Sequence, residues 1–144
     1  RIGNSFGREI DLEDSDLCIA QKFVPTEFDW RVGVLDRRAV FVCQYKMARG
    51  HWQIIKHQDD GESVEGGHKA IPVAEAPADV VDVAVRAANL IGDGFYGVDL
   101  KSGPDGPMVI EINDNPNLEH GVEDEADRNV WNHLTEWFVK RLSA

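Results

Sequence analysis

The stretch from Phe95 to Pro116, FYGVDLKSGPDGPMVIEINDNP, constrains this chain more than any other. Two runs of alternating apolar residues flank Ser102-Gly103-Pro104-Asp105-Gly106-Pro107, so the sequence predicts a β-hairpin. Period-two alternation puts Tyr96, Val98 and Leu100 on one face of the first strand and Gly97, Asp99 and Lys101 on the other. In the second strand Met108, Ile110 and Ile112 are expected on one face, with Val109, Glu111 and Asn113 opposite. With the turn centred on Asp105, Asp99 lies directly across from Glu111. Two carboxylates opposed on paired strands repel each other, and folding gains nothing from that. A hard divalent cation between them turns the repulsion into a ligand set of carboxylate and amide oxygens. Asp99, Glu111 and Asn113 therefore read as ligands for Mg²⁺ or Mn²⁺.

Composition narrows the setting. With 144 residues, 42% hydrophobic and 28% charged, the chain has material for one globular domain with a core of its own. No apolar run reaches the ~20 residues that span a bilayer, and no signal-peptide pattern opens the sequence, so no membrane partner is expected. Cys18 and Cys43 each fall in an apolar, strand-like run and read as small buried residues of a reducing, cytoplasmic compartment, with a disulfide between them left open. The net charge of −11 argues against nucleic acid as a partner, although a nucleotide needs only a few local cations and a metal. Self-association is left open. The abrupt start on Arg1, with no methionine, reads as a portion of a longer protein.

Residues 1–16 are rich in Gly, Ser and acids and are expected to be loop, with Gly3-Asn4-Ser5-Phe6-Gly7-Arg8 resembling half of a phosphate-binding loop. Leu17 to Val24 is an expected strand that ends at Pro25. Phe28 to Leu35 and Ala39 to Lys46 form a second expected hairpin around Asp36-Arg37-Arg38. Its alternation suggests Trp30, Val32 and Val34 on one face with Phe41, Cys43 and Tyr45, leaving Asp29, Arg31, Gln44 and Lys46 on the other. That polar face is either ordinary solvent-facing sheet or a ligand surface carrying two neighbouring cations, Arg31 and Lys46. His51–His57 and His68–Val73 read as further strands, separated by an acidic loop. His51, His57 and His68 lack the spacing of a zinc site. Ala78–Gly92 is an expected helix, with Pro77 at its start and Asp79 and Asp82 toward its positive end. A second helix is expected over Asp124–Leu142, with Val130, Trp131, Leu134, Trp137, Phe138 and Leu142 on one stripe. The order is that of an α+β domain in which two helices cover an antiparallel sheet.

Taken together, Gly97-Val98-Asp99-Leu100, the run Val109-Ile110-Glu111-Ile112-Asn113-Asp114-Asn115-Pro116 and the helix before them resemble the C-terminal half of an ATP-grasp ligase. The subgroup it resembles is the RimK type, which includes glutathione synthase and ribosomal-protein glutamate ligase, and the resemblance runs from about Leu17 onward. It implies that ATP phosphorylates a small-molecule or peptide carboxylate to an acylphosphate, from which an amine displaces phosphate to form an amide. Asp99, Glu111 and Asn113 match the family's metal ligands. Gln21-Lys22-Phe23-Val24 matches its adenine hinge, and Glu27 matches a ribose-binding acid, although a solvated loop acid reads equally well there. Arg31 and Lys46 match cations lining the phosphate and substrate site, Asn115 a residue touching phosphate or substrate, and His68 and Lys69 a segment that helps close the site. Residues 1–16 would be a remnant of the central lid, and residues 17–144 the catalytic C-terminal domain. The family's substrate-binding domain and most of its lid have no counterpart here. A nucleotide- or metal-binding regulatory module without turnover is therefore an alternative, and a merely acidic interaction domain is a third.

Overall fold

The computed structural model describes residues 2–3, 9–10, 22, 24–46, 55–57, 63–65 and 67–143. Two short antiparallel pairs come from the first half of the chain. One joins β1 (Ile2–Gly3) to β2 (Glu9–Ile10), within the segment expected to be loop. The domain itself is built on β3 (Phe28–Leu35) and β4 (Arg38–Lys46). The second short pair joins β5 (Ile55–His57) to β6 (Ser63–Glu65). There follow β7 (His68–Ile71), a 3₁₀ turn at Val73–Glu75, α1 (Ala78–Asn89), β8 (Phe95–Gly103), β9 (Gly106–Asn113) and α2 (Val130–Leu142). Strands β7, β4, β3, β8 and β9, in that order, form one five-stranded antiparallel sheet. Of the expected strand from Leu17 to Val24, only Lys22 and Val24 are described, and neither is in a strand.

The β3–β4 hairpin turns on Asp36 and Arg37, both at positive φ (47° and 66°), the pairing of angles that matches the twist of a two-residue hairpin. This tight turn and one bulge reset the expected faces. Gly33 pairs with Phe41 but Val34 with Ala39, so Val40 is the extra residue. Trp30, Val32 and Val34 consequently share their face with Val42 and Gln44, while Phe41, Cys43 and Tyr45 share the face of Arg31. The expected grouping, which joined Trp30 to Tyr45 and Arg31 to Lys46, is corrected accordingly.

Hairpin β8–β9 is reset in the same way. Its turn closes at Gly103 and Gly106, one register step from the expected centre, and Ile110 is the extra residue that restores the Asp99–Glu111 pairing. Val109 therefore lies on the face of Leu100 and Ile112 instead of beside Glu111, and Met108 lies on the face of Lys101 and Asp99.

Helix α1 begins after Pro77 and buries Val80, Ala84 and Ala88, a stripe at four-residue spacing. These residues pack against Trp30, Val32, Val34, Val42, Tyr96, Val98 and Leu100 to form the core, on the inner face of the sheet. Helix α2 starts at Val130, six residues later than expected from the run of acids before it. The delay has a local cause. Asp124 accepts from the Gly121 N–H (2.5 Å) and Asp127 from the Asn129 N–H (2.9 Å), so both side chains stabilise turns in place of a helical start. The apolar stripe of α2 is only partly covered: Val130 and Leu134 are buried, whereas Trp131, Phe138 and Leu142 are exposed. Because Leu100 is fully buried at the centre of the core, Leu100→Ala should destabilise the domain by about 2–5 kcal/mol, read as a lowered midpoint in urea unfolding.

Candidate functional site

The outer face of the sheet, away from α1, carries the polar residues. Register places Asp99 directly opposite Glu111 on one side and Arg31 on the other, with Asn113 opposite Gly97 two pairs along and so on the same face. Arg31, Asp99, Glu111 and Asn113 are thus brought onto one face by three adjacent strands. The cation that meets Asp99 in this structure is the Arg31 guanidinium: Nε donates to Oδ1 at 2.7 Å and Nη2 to Oδ2 at 2.9 Å. Such a two-pronged, charge-assisted pair fixes both partners in one plane. It also holds the Arg31 pKa above the already high value of a guanidinium, so the charge is permanent.

The pair leaves chemistry to spare. An ionised carboxylate offers about four lone-pair positions, of which the fork takes two, and a guanidinium has three further N–H donors. Glu111 is exposed and has no ion-pair partner among the described residues. Two carboxylates and one amide, all hard oxygen donors on one sheet face, suit a Mg²⁺- or Mn²⁺-type ion. Among the described residues no cluster of three His, Cys, Asp or Glu side chains could hold a metal.

Below the fork, Lys101 is buried against the same face. Its Nζ donates to Asp29 Oδ1 (2.5 Å) and Thr26 Oγ1 (2.9 Å), and the Thr26 hydroxyl in turn donates to Asp29 (2.8 Å). Above the fork, the loop after β9 folds back over the sheet. Gly97 makes room for it, since a Cβ there would lie 2.6 Å from Pro116 Cβ. The free thiol of Cys43 donates to the Val122 carbonyl (3.6 Å), and its burial pushes its pKa up to about 12. Glu123 accepts from the Tyr45 hydroxyl and, at 2.8 Å, from the Glu119 N–H. Burial, and then that bond to Glu123, raises the Tyr45 pKa, so the phenol stays protonated.

The remaining sequence-derived residues scatter. Lys46 pairs with Phe28 and therefore points to the inner face, so Arg31 and Lys46 do not form a cation pair. Asn115 is exposed just beyond β9, and Lys22, Val24 and Glu27 precede β3, with Lys22 and Glu27 exposed. Gln21 and Phe23 of the hinge, and Cys18, lie outside the described residues. His68 faces Tyr45 across β7–β4 and approaches Glu125 at 3.8 Å, and Lys69 pairs with Gln44 on the inner face. Sequence reasoning missed Tyr45, which alternation placed with the core, and Glu123, hidden in an acid-rich loop. No local pattern links two residues 78 positions apart.

No protein-family model matches the chain. A probable alpha-L-glutamate ligase of Legionella pneumophila is 38% identical over 91 residues, covering 60% of this chain and 30% of the relative. Another, from Xanthomonas campestris pv. campestris, is 38% identical over 95 residues, covering 66% of this chain and 29% of the relative. In three dimensions the chain resembles the ATP-grasp ligase PsnB complexed with a minimal precursor, with a TM-score of 0.55, 27% identity, and coverage of 83% of this chain and 36% of that one. PsnB with precursor peptide PsnA2 and AMPPNP gives a TM-score of 0.56 at 24% identity, covering 84% and 34%, and bears on the fold alone. Sequence and fold together make this chain similar to part of an ATP-grasp ligase of the RimK type, and its matched segment spans about 30% of the length of these relatives.

The buried Asp124 anchors the loop beside the site. Its carboxylate accepts from Trp131 Nε1 (2.7 Å), contacts His120 Nδ1 (2.8 Å) and accepts from the Gly121 N–H, and these bonds hold its pKa down at about 2. A carboxylate depressed in the folded state adds stability above its unfolded pKa of about 3.9, and that stability is lost as pH falls through the folded value. Unfolding free energy should therefore decline between about pH 4 and pH 2, and Asp124→Asn should flatten that decline. Chemical denaturation at stepped pH measures both slopes.

Proposed function

We propose that this chain is the catalytic C-terminal part of an ATP- and Mg²⁺-dependent carboxylate–amine ligase that works through an acylphosphate. The observation that carries the reading is the outer face itself, where Asp99, Glu111 and Asn113 share one surface with a permanently charged Arg31. In the first step a carboxylate oxygen of the substrate attacks the γ-phosphorus of ATP, the bond to the bridging oxygen breaks, and ADP leaves. In the second step the amine lone pair attacks the acyl carbon, the carbon–oxygen bond to phosphate breaks, and the amine gives up a proton. A divalent ion held by Asp99, Glu111 and Asn113 would neutralise charge on the phosphate oxygens. Arg31, with N–H donors unspent on Asp99, would contact the transferred phosphoryl group. Asn115 would touch phosphate or substrate, with Pro116 fixing its loop against Gly97. Residues 21–24 would cradle adenine, and Glu27 the ribose.

The substrates in this reading are small-molecule or peptide carboxylates and amines. A probable alpha-L-glutamate ligase and an ATP-grasp ligase complexed with a minimal precursor, both similar to this chain, support that class. The compartment would be the cytoplasm, where ATP and reduced thiols coexist. Among the described residues no helix is long and apolar enough to cross a membrane.

One observation favours a second reading, a nucleotide- and metal-binding module without turnover: the Arg31 fork already occupies both oxygens of Asp99. Titration calorimetry with ATP, with and without Mg²⁺, detects binding in either case. Release of ADP, measured with the full-length protein against amino acids and peptides as acids and amines, separates the two. Glu111→Gln keeps size and hydrogen bonding but removes the charge, so it should lower metal-dependent ADP release by about 100-fold or more with an unchanged circular dichroism spectrum. Turnover at the wild-type rate in that variant would remove Glu111 from the metal site, and no ADP release from the wild-type protein would remove the ligase reading.

A further inference from the structure

Tyr45 and Glu123 form a bracket behind Arg31 that neither the metal set nor the fold requires. The Arg31 guanidinium carbon stands 5.2 Å from the centre of the Tyr45 ring, so the ring face holds the cation from one side. The Tyr45 hydroxyl donates to one oxygen of Glu123, and the other oxygen accepts the backbone N–H of Glu119 at 2.8 Å. Glu123 is only 2% exposed. A buried carboxylate is costly unless its oxygens are satisfied, and here one is spent on the ring that orients Arg31 and the other on the loop that follows β9. The chain of contacts therefore runs from loop backbone to Glu123, to Tyr45, to Arg31 and on to Asp99.

We infer that Tyr45 and Glu123 are positioning residues for the phosphoryl-transfer site. They hold the guanidinium in the plane of Asp99 so that its remaining N–H groups face the outer surface, and they tie that orientation to closure of the 117–125 loop. The inference rests on the ligase reading for its effect on rate, but its structural part stands independently. An arginine preset in one plane binds an incoming phosphate oxygen without first losing rotamer freedom. A mispositioned one should cost transition-state stabilisation while leaving ATP binding largely intact.

The test uses the full-length protein with Tyr45→Phe, Glu123→Ala and Glu123→Gln. One arm measures ADP release from Mg²⁺–ATP. The other follows solvent exchange of the Arg31 Nε–H by ¹⁵N NMR, a readout that needs no turnover. Tyr45→Phe removes one hydroxyl and should lower kcat about tenfold, with KM for ATP within about twofold, and speed Nε–H exchange about tenfold. Glu123→Ala should do the same, whereas Glu123→Gln, which keeps one acceptor oxygen for the Glu119 N–H and turns its amide N–H₂ toward the Tyr45 hydroxyl oxygen, should stay closer to wild type than Glu123→Ala. Should Glu123→Ala not fold, the near-isosteric Tyr45→Phe decides. Unchanged Nε–H exchange in Tyr45→Phe overturns the inference, whatever the turnover. Faster exchange in a protein whose wild type releases no ADP supports the bracket and counts against the ligase reading instead.

Discussion

The two-pronged ion pair between Arg31 and Asp99 is the interaction around which the outer face is arranged. It joins β3, the middle strand of the sheet, to its neighbour β8 through their side chains as well as their backbones. On the inner face the same two strands present Val32 and Val98, both fully buried under α1. These two strands therefore carry an apolar ladder on one side and a charged one on the other. A slip of β8 by one residue against β3 would turn Asp99 into the core and Val98 out of it. Core packing and site geometry are thus enforced by a single alignment.

Much of this was legible in the sequence, and the parts that were not have specific causes. Alternation in β8 gave the right faces because that strand pairs regularly with β3. Asp99 opposite Glu111 was also anticipated, but for an incomplete reason: the turn closes earlier than supposed, and Ile110 absorbs the difference. In β4 and β9 the extra residues Val40 and Ile110 shift the alternation partway along, so simple counting misassigned Val109, Tyr45 and Lys46. Bulges of this kind leave no mark in a run of apolar residues.

The late start of α2 shows a different limit. Asp124 and Asp127 resemble the acidic first turn of a helix, yet a buried aspartate that binds Gly121, His120 and Trp131 does more for the loop than it would for a helix dipole. The Arg31–Asp99 fork was beyond reach for another reason. The sequence points to both residues, one as a phosphate contact and one as a metal ligand, but their separation of 68 positions gives no hint that they meet each other first. Charges on one face of a sheet interact with their neighbours before they interact with a ligand.

The two bulges lie outside the central pair. Strands β3 and β8 run without a register shift from Trp30 opposite Leu100 to Leu35 opposite Phe95, while the irregularities fall between β3 and β4 and between β8 and β9. Slack in strand length is therefore confined to the flanks. A single residue gained or lost in β4 or β9 can be taken up there as a bulge made or erased, with the central alignment left alone. A chain organised in this way can remodel the flanking strands of its outer face in one-residue steps while its charged centre stays fixed.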